Sequence, residues 1–538
     1  MKFSYVAIGG GITGVETTIE LVRSILKEYK KNALKQKLSI AIIDKNSENI
    51  PGGIAYGFKM SKYGYFNNPI RLSPKNFQDW ISDIKIKNKI ISYLKTNGGH
   101  TGYNWIKKNK KTLFSKNKKN LEELYVPRAI SNAWMEEKLV SLLNQIKKQK
   151  LFCEIKFFKG EAINIQVEKN GIKNIVFKNN ICKELNYNIK KNSFKKMNFS
   201  EGKKIKSIKT HILSIGIGLP PPKQLADKNA QKNQNYIWDF YTEGSTSKLI
   251  NLISSFPPKK KILVYFIGYK AGLLEALPEL EQVIKKKRLN IKLICSSKNL
   301  VSIQKAQISQ NKNKYKLFFL NQKKLKNIKK AKQIVEFLDE EFNLAVKKGF
   351  NKYDVWSLIL KKNILHKCLV NLDKKQKGIY NSIYHNKIRN LTRFTYPETI
   401  LARENLSRKN ILISNRENVK KVEYKSKKLL VKTVNNLNIK KNYLCEIVVN
   451  VSGPLNVESL EREIPLVNNL KINGAKVNSG GFIVNNHFEI KGLKNIFTSG
   501  ILARGFNPER KTIFSAILKN SLLVGKNIAK VLIKRKKF

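Results

Sequence analysis

Residues 3–44 constrain the chain more than any other stretch. An apolar run from Phe3 to Ile8 enters Gly9, Gly11 and Gly14, spaced G-x-G-x-x-G. Apolar residues then recur at helical spacing through Val15, Ile19, Val22 and Ile25, and a second apolar run closes on Asp44. In a strand–turn–helix–strand unit each glycine has a task. Gly9 permits the tight turn, Gly11 lets the backbone approach a diphosphate, and Gly14 lets helix and strand pack closely. The helix N-terminus turns unpaired N–H groups toward the phosphates. Asp44 stands where a ribose hydroxyl would be received. Glycine turns of this spacing also occur in ordinary α/β proteins. Strand, helix, second strand and terminal acid in that order select dinucleotide binding. Asp44 lies thirty residues beyond Gly14, more than the usual spacing of about 20; the polar stretch 27–37 accounts for the excess as a longer helix and loop.

A chain of 538 residues accommodates two or three domain-sized units. The five cysteines are scattered and form no CxxC pair, so neither a zinc site nor a disulfide framework is expected, and a reducing cytoplasm fits. The histidines are equally dispersed, and no metal site is expected. No apolar run approaches the roughly 20 residues that span a bilayer. The short apolar N-terminus leads into GGGITG and reads as a strand entering a phosphate turn rather than as a signal peptide. The net charge of +67 admits two readings. One is an anionic macromolecule or membrane as partner. The other is a genome rich in Lys, Asn and Ile codons, and it is preferred: the lysines are spread along the whole chain, arginine is scarce, and no basic module interleaved with aromatics occurs. No specific nucleic-acid partner is expected, although the charge should help attract anionic substrates.

Further motifs follow Asp44: PGGIAYG (51–57), YFNNPIRLSPKNFQDWI (65–81), YVPRAISNAWMEE (125–137), HILSIGIGLPPPK (211–223), NYIWDFY (235–241) and EIVVNVSGPLN (446–456). Together they resemble the bacterial FAD/NAD(P)-binding protein family, two-domain flavoproteins related to flavin-dependent N-hydroxylases and other monooxygenases. The resemblance runs over almost the whole chain. It implies an α/β fold in which a Rossmann-like FAD-binding domain (residues 1–238 and 381–538) is interrupted by a Rossmann-like NAD(P)-binding domain with a helical extension (239–380). FAD is the implied cofactor. Asn67 and Pro69 would sit near the isoalloxazine ring. Arg128 would meet the FAD phosphates or ring, or else form a surface salt bridge. Backbone of 161–167 would lie beside the adenine, and Gly216 would pass close to the cofactor. Pro220–Pro222 form a stiff exit suited to a domain junction. In the C-terminal part, Gly500 opens a turn after a strand; Ile501 stands where many flavoproteins carry an Asp. Thr512 would either present backbone N–H groups to the flavin's pyrimidine edge or simply cap the last helix.

The second unit repeats the strand–turn–helix–strand outline at 262–298, and the resemblance implies an NAD(P)H site there. The expected glycines are at 268 and 270, with a small residue at 273. The chain has Gly268 and Gly272, but Lys270 and Leu273. Lys270 either obstructs a diphosphate or pairs with it. The second strand runs into Ser296, Ser297 and Lys298 without an acid, which suits the 2′-phosphate of NADP, so NADPH is the expected reductant. Residues 312–362 read as amphipathic helices, with the basic run 323–332 as their solvated face. Residues 383–400 read as the return to the first domain, with His385, Arg389 and Arg393 either lining the cleft or lying on the surface. Cys153 and Cys445 read as packed rather than reactive.

No Ser/His/Asp or Cys/His arrangement is present and no catalytic side chain stands out, as befits a protein whose cofactors carry the chemistry. The resemblance implies an FAD-dependent oxidoreductase reduced by NADPH, with hydroxylation of a small molecule as the monooxygenase outcome; a dehydrogenase or a simple NADPH oxidase would carry the same sequence features. The alternative is a flavin-bound binding or scaffold protein whose nicotinamide site has decayed, which Lys270 and Leu273 favour.

Overall fold

The structure is a computed structural model. It describes residues 1–29, 37–58, 64–66, 69–148, 153–218, 220–242, 244–269, 271–298, 300, 303–306, 315–321, 325–453, 455, 464–478, 481–503 and 513–534.

The N-terminal run forms β1 (Lys2–Ile8), helix α1 (Ile12–Tyr29) and β2 (Leu38–Asp44). Tyr5, Val6 and Ala7 are fully buried, as are Ile40, Ala41, Ile42 and Ile43. Continuous apolar runs of this kind suit parallel strands covered on both faces. β1 lies between β2 and the strand Ile208–Ile215, parallel to both, with Ile8 opposite Ile43 and Ile215. Ile496–Thr498 adds a fourth parallel position beside Ile208–Ile215. On the other side β2 pairs with Cys153–Val167, from which antiparallel strands Lys173–Ile189 and Met197–Lys204 complete a seven-stranded sheet. α1 packs against the helices Ala129–Lys148 and Ile513–Lys534. Its buried stripe, Val15, Ile19 and Val22, is the one the sequence periodicity predicts.

A second, wholly parallel sheet of five strands orders Leu412–Asn415, β4 (Ile291–Ser296), β3 (Ile262–Ile267), Ile447–Asn450 and Tyr236–Ile237. Helix α2 (Ala271–Lys287) follows β3 and packs with the helices Ser245–Ser254 and Pro397–Arg408. A three-stranded antiparallel meander, Glu417–Lys425, Lys428–Asn435 and Lys440–Cys445, covers the other face, where Tyr265, Ile294 and Val448 meet Val422, Leu429 and Val431. All these strands fall between Ile215 and Ile496, which belong to neighbouring strands of the first sheet. The second unit is therefore an insertion. Helices Ala331–Lys347 and Lys352–Lys362 belong to a cluster with its own core of Ile334, Leu338, Phe342, Val355 and Ile359.

The second sheet reaches farther along the chain than expected. Helix Pro397–Arg408 and strands Leu412–Asn415 and Ile447–Asn450 were expected with the first unit, yet they form the layers of the second. Residues 383–400 thus do not return the chain to the first sheet. The segment His385–Leu391 is helical, and Phe394–Thr395 pairs with Gln304–Lys305. A short apolar strand such as IVVN is equally acceptable to either parallel sheet, so its partner is not encoded locally.

Candidate functional site

Where β1 ends, the backbone turns through Gly9 at φ +104°. Its N–H donates to the Ile43 carbonyl (2.8 Å), and the Gly216 N–H donates to the Ile8 carbonyl (2.7 Å). These bonds bring three chain segments together with no room for side chains. A Cβ on Gly9 would stand 2.2 Å from the Gly216 oxygen, and one on Gly14 would stand 2.0 Å from the Gly9 oxygen. Gly11 faces a second glycine turn across a narrow gap, since its Cβ would lie 3.1 Å from Gly53 Cα.

Asp44 holds this turn from behind. Its Oδ2 accepts the Gly10 N–H at 2.8 Å, and its Oδ1 accepts the Asn46 N–H at 3.0 Å and the Asn49 side-chain amide at 2.9 Å. A carboxylate offers about four lone-pair sites; three are used, which leaves one. Burial raises the Asp44 carboxyl above its ordinary range, and these hydrogen bonds, with Lys45, pull it back.

A cavity of about 750 Å³ opens in front of the turn. Gly9, Gly11, Asp44, Arg128 and Gly216 line it, together with Gly160 and, from the stretch 161–167 expected beside an adenine, Glu161, Ala162 and Ile163. Gly14 packs beneath the turn. Gly500 has φ +69° and lies against Thr13, and its neighbours Ser499 and Ile501 reach the cavity wall. Pro69 is buried ahead of a short 3-10 turn, Ile70–Leu72. Asn67, Lys270 and Thr512 lie outside the described residues.

In the second unit Gly268, at φ +107°, donates its N–H to the Ser296 carbonyl (2.7 Å) and packs against the backbone of Ser452. Ser296 is buried and Lys298 is exposed. Leu273 is fully buried in the second core. Gly272 lines the large cavity.

The fold brings to this cavity several residues for which no role was expected. Trp238, Asp239 and Tyr241 line it from the WDFY segment, and Glu275 lines it from α2. Glu275 pairs with an Arg128 guanidinium nitrogen, while Arg128 Nε donates to the Tyr65 carbonyl at 3.0 Å. Arg128 does form an ion pair, but a largely buried one between the two units, not one on the open surface. Burial pushes the Glu275 carboxyl up, and Arg128 opposes that shift. In the sequence, only the apolar company of Glu275 on a helix hinted at such a place. Toward the inner end Tyr56, Phe66 and Phe514 pack ring to ring, with centroids 5.0 to 5.9 Å apart.

The five cysteines are buried and unpaired. Burial pushes the Cys153 thiol up to about 12, which suppresses the thiolate and fits a packed residue. Among the described residues, no group of three or more His, Cys, Asp or Glu is arranged to hold a metal, and no helix is long and apolar enough to cross a membrane.

Residues 6–183 match the FAD-NAD(P)-binding family model. The match covers about a third of the chain, and over its full length the chain shares its fold with a solved FAD-containing hydroxylase. It is similar to an ornithine N-hydroxylase of Kutzneria sp. 744, solved with reduced FAD, NADP+ and L-ornithine, at 10% identity over 100% of each chain and a TM-score of 0.53. An L-lysine 6-monooxygenase of Pseudomonas syringae aligns at 11% identity over 100% of each chain with a TM-score of 0.49. An FAD-bound cadaverine monooxygenase of Erwinia amylovora aligns at 10% identity over 98% of this chain and 94% of its own, with a TM-score of 0.48. No curated protein matches the sequence.

Proposed function

We propose that this chain is an FAD-dependent oxidoreductase whose FAD lies in the cavity before Gly9, Gly11 and Gly14. One observation carries the reading: the backbone cradle at Gly9, Gly14 and Gly216, which any Cβ would fill, at the mouth of a cavity of about 750 Å³. That volume suits a cofactor, and the donors and acceptors at the cradle suit FAD. The N-terminus of α1 would receive the diphosphate, and the spare acceptor site of Asp44 would take the adenosine ribose. Backbone at Glu161–Ile163 would lie beside the adenine. Arg128 would steady the ring end from its ion pair with Glu275. Tyr56, Phe66 and Phe514 would exclude water from that end.

When bound, FAD supplies hydride acceptance and the activation of oxygen. NADPH is the proposed reductant, and a small molecule is the proposed substrate. Hydroxylation is the proposed outcome, supported by the shared fold with the Kutzneria hydroxylase. We place the inserted unit at about residues 222–452, from the prolines to the end of the second sheet, and the protein in the cytoplasm, where unpaired cysteines persist.

The test is direct. The purified chain should be yellow or become so with FAD, and NADPH should bleach the flavin under anaerobic conditions. A protein that stays colourless in excess FAD would sink the proposal. A second reading has its own support, because Tyr241 lies against Gly272 at the mouth of the second unit. It is a flavin-bound binding or scaffold protein without a working nicotinamide site, and it predicts bound FAD that neither NADPH nor NADH reduces.

A further inference from the structure

The two units share one plan. In each, the glycine after the first strand donates its N–H to a carbonyl at the C-terminal end of the second strand, Ile43 for Gly9 and Ser296 for Gly268. In each, that glycine touches backbone leaving the neighbouring strand, Gly216 or Ser452. The plans part at the helix N-terminus. In the first unit the turn before α1 opens on the cavity. In the second, the side chain of Tyr241 stands against the first turn of α2. A Cβ on Gly272 would lie 2.9 to 3.0 Å from Cε1, Cζ and the hydroxyl oxygen of Tyr241. The Tyr241 ring and hydroxyl thus cover the α2 N-terminus at Gly272. Gly272 is the second residue of α2, so its N–H is among those without an intrahelical partner. It is one of the donors a dinucleotide's diphosphate would need.

Tyr241 is held in place. Its own N–H donates to Asp239 Oδ1 at 2.9 Å, and the Thr242 and Ser245 hydroxyls donate to the Asp239 carbonyl at 2.8 and 3.0 Å. One turn into α2, the largely buried Glu275 carboxylate faces the same cavity, neutralised by Arg128 from the other unit. A phenol packed against Gly272 occupies the space through which a diphosphate would reach that turn of α2. With Tyr241 in this position, a diphosphate has no room against Gly272.

We infer that Tyr241 is a stopper in that end, and that a nicotinamide dinucleotide enters the second unit only by displacing its side chain. The inference rests on the proposed NADPH site and adds the residue that controls access to it. Because closure lowers the fraction of binding-competent protein, the apparent Kd is raised by the same factor.

The experiment measures NADP+ binding by calorimetry to the FAD-loaded full chain, as wild type, Tyr241→Phe and Tyr241→Ala, with flavin content read on each sample. Tyr241→Ala should tighten NADP+ binding by at least about fivefold, and Tyr241→Phe, which keeps the ring but loses the hydroxyl, by less. Equal or weaker binding in the alanine variant overturns the stopper. Should that variant not fold, equal or weaker binding by Tyr241→Phe decides in the same sense. No binding by any of the three also overturns it, because something other than Tyr241 then excludes the ligand. Flavin content answers separately for the FAD proposal: a colourless wild type fails that proposal, whatever Tyr241 does.

Discussion

At Gly14 the helix can approach the strand turn only because residue 14 carries no side chain. With 2.0 Å between a new Cβ and the Gly9 oxygen, Gly14→Ala must push α1 away from the turn. The amide donors of α1 then leave the diphosphate position. Losing well-placed charge-assisted hydrogen bonds costs about 1.5–3 kcal/mol each, so FAD affinity should fall by a factor of at least about ten, read as flavin retained on gel filtration. Unchanged retention would contradict the cradle. Glu136 makes a different kind of prediction. It is 1% exposed and accepts the Lys196 N–H at 2.7 Å. Burial pushes its carboxyl up to about 8, from an ordinary value of 4.5. Between those values the folded state holds a proton that the unfolded chain has released, so stability falls as pH rises through that window. Glu136→Gln keeps an acceptor for the amide and has nothing to ionise. It should raise the urea midpoint near pH 9 and leave it almost unchanged near pH 5, the difference growing by about 1.4 kcal/mol per pH unit crossed. An equal effect at both pH values would refute the assignment.

Among the elements, the helical cluster shows how one side chain fastens a loop. Glu341 is fully buried on the helix Ala331–Lys347. It accepts the N–H groups of Phe318, Phe319 and Leu320 at 2.8 to 3.1 Å and the Tyr315 hydroxyl at 2.6 Å. Removing the acceptor strands several buried donors at about 1–3 kcal/mol each. Glu341→Ala should therefore lower unfolding stability by more than about 3 kcal/mol and speed hydrogen exchange at amides 318–320. Fast exchange there in the wild type would show that the fastening is not formed in solution.

For the molecule as a whole, two features dominate. The largely buried Arg128–Glu275 pair ties the first unit to α2, so the units are joined by charge at the cavity they share. Over the surface, the +67 charge acts against compactness. Salt shortens the reach of that repulsion, from about 30 Å at 0.01 M to about 8 Å at 0.15 M. The thermal midpoint should rise with sodium chloride over that range. A midpoint that fell would mean that local ion pairs outweigh the net repulsion. Retention on DNA should be weak and non-specific at physiological salt; tight, steeply salt-dependent retention would revive the nucleic-acid reading.

The glycine spacing, the apolar runs and the terminal acid determined the first unit and its turn almost residue by residue, because a βαβ unit is specified by local periodicity and by the few residues tolerated where backbones touch. The outline of the second unit, β3, α2 and β4, was legible for the same reason. Only the tertiary structure decided that residues 397–450 join the second unit, that Arg128 pairs with Glu275, and that Tyr241 stands against the helix end behind Gly268. Each of these pairs groups far apart in the chain. Partner choice between distant segments depends on which surfaces meet once the layers are packed, and no local pattern of residues carries that information.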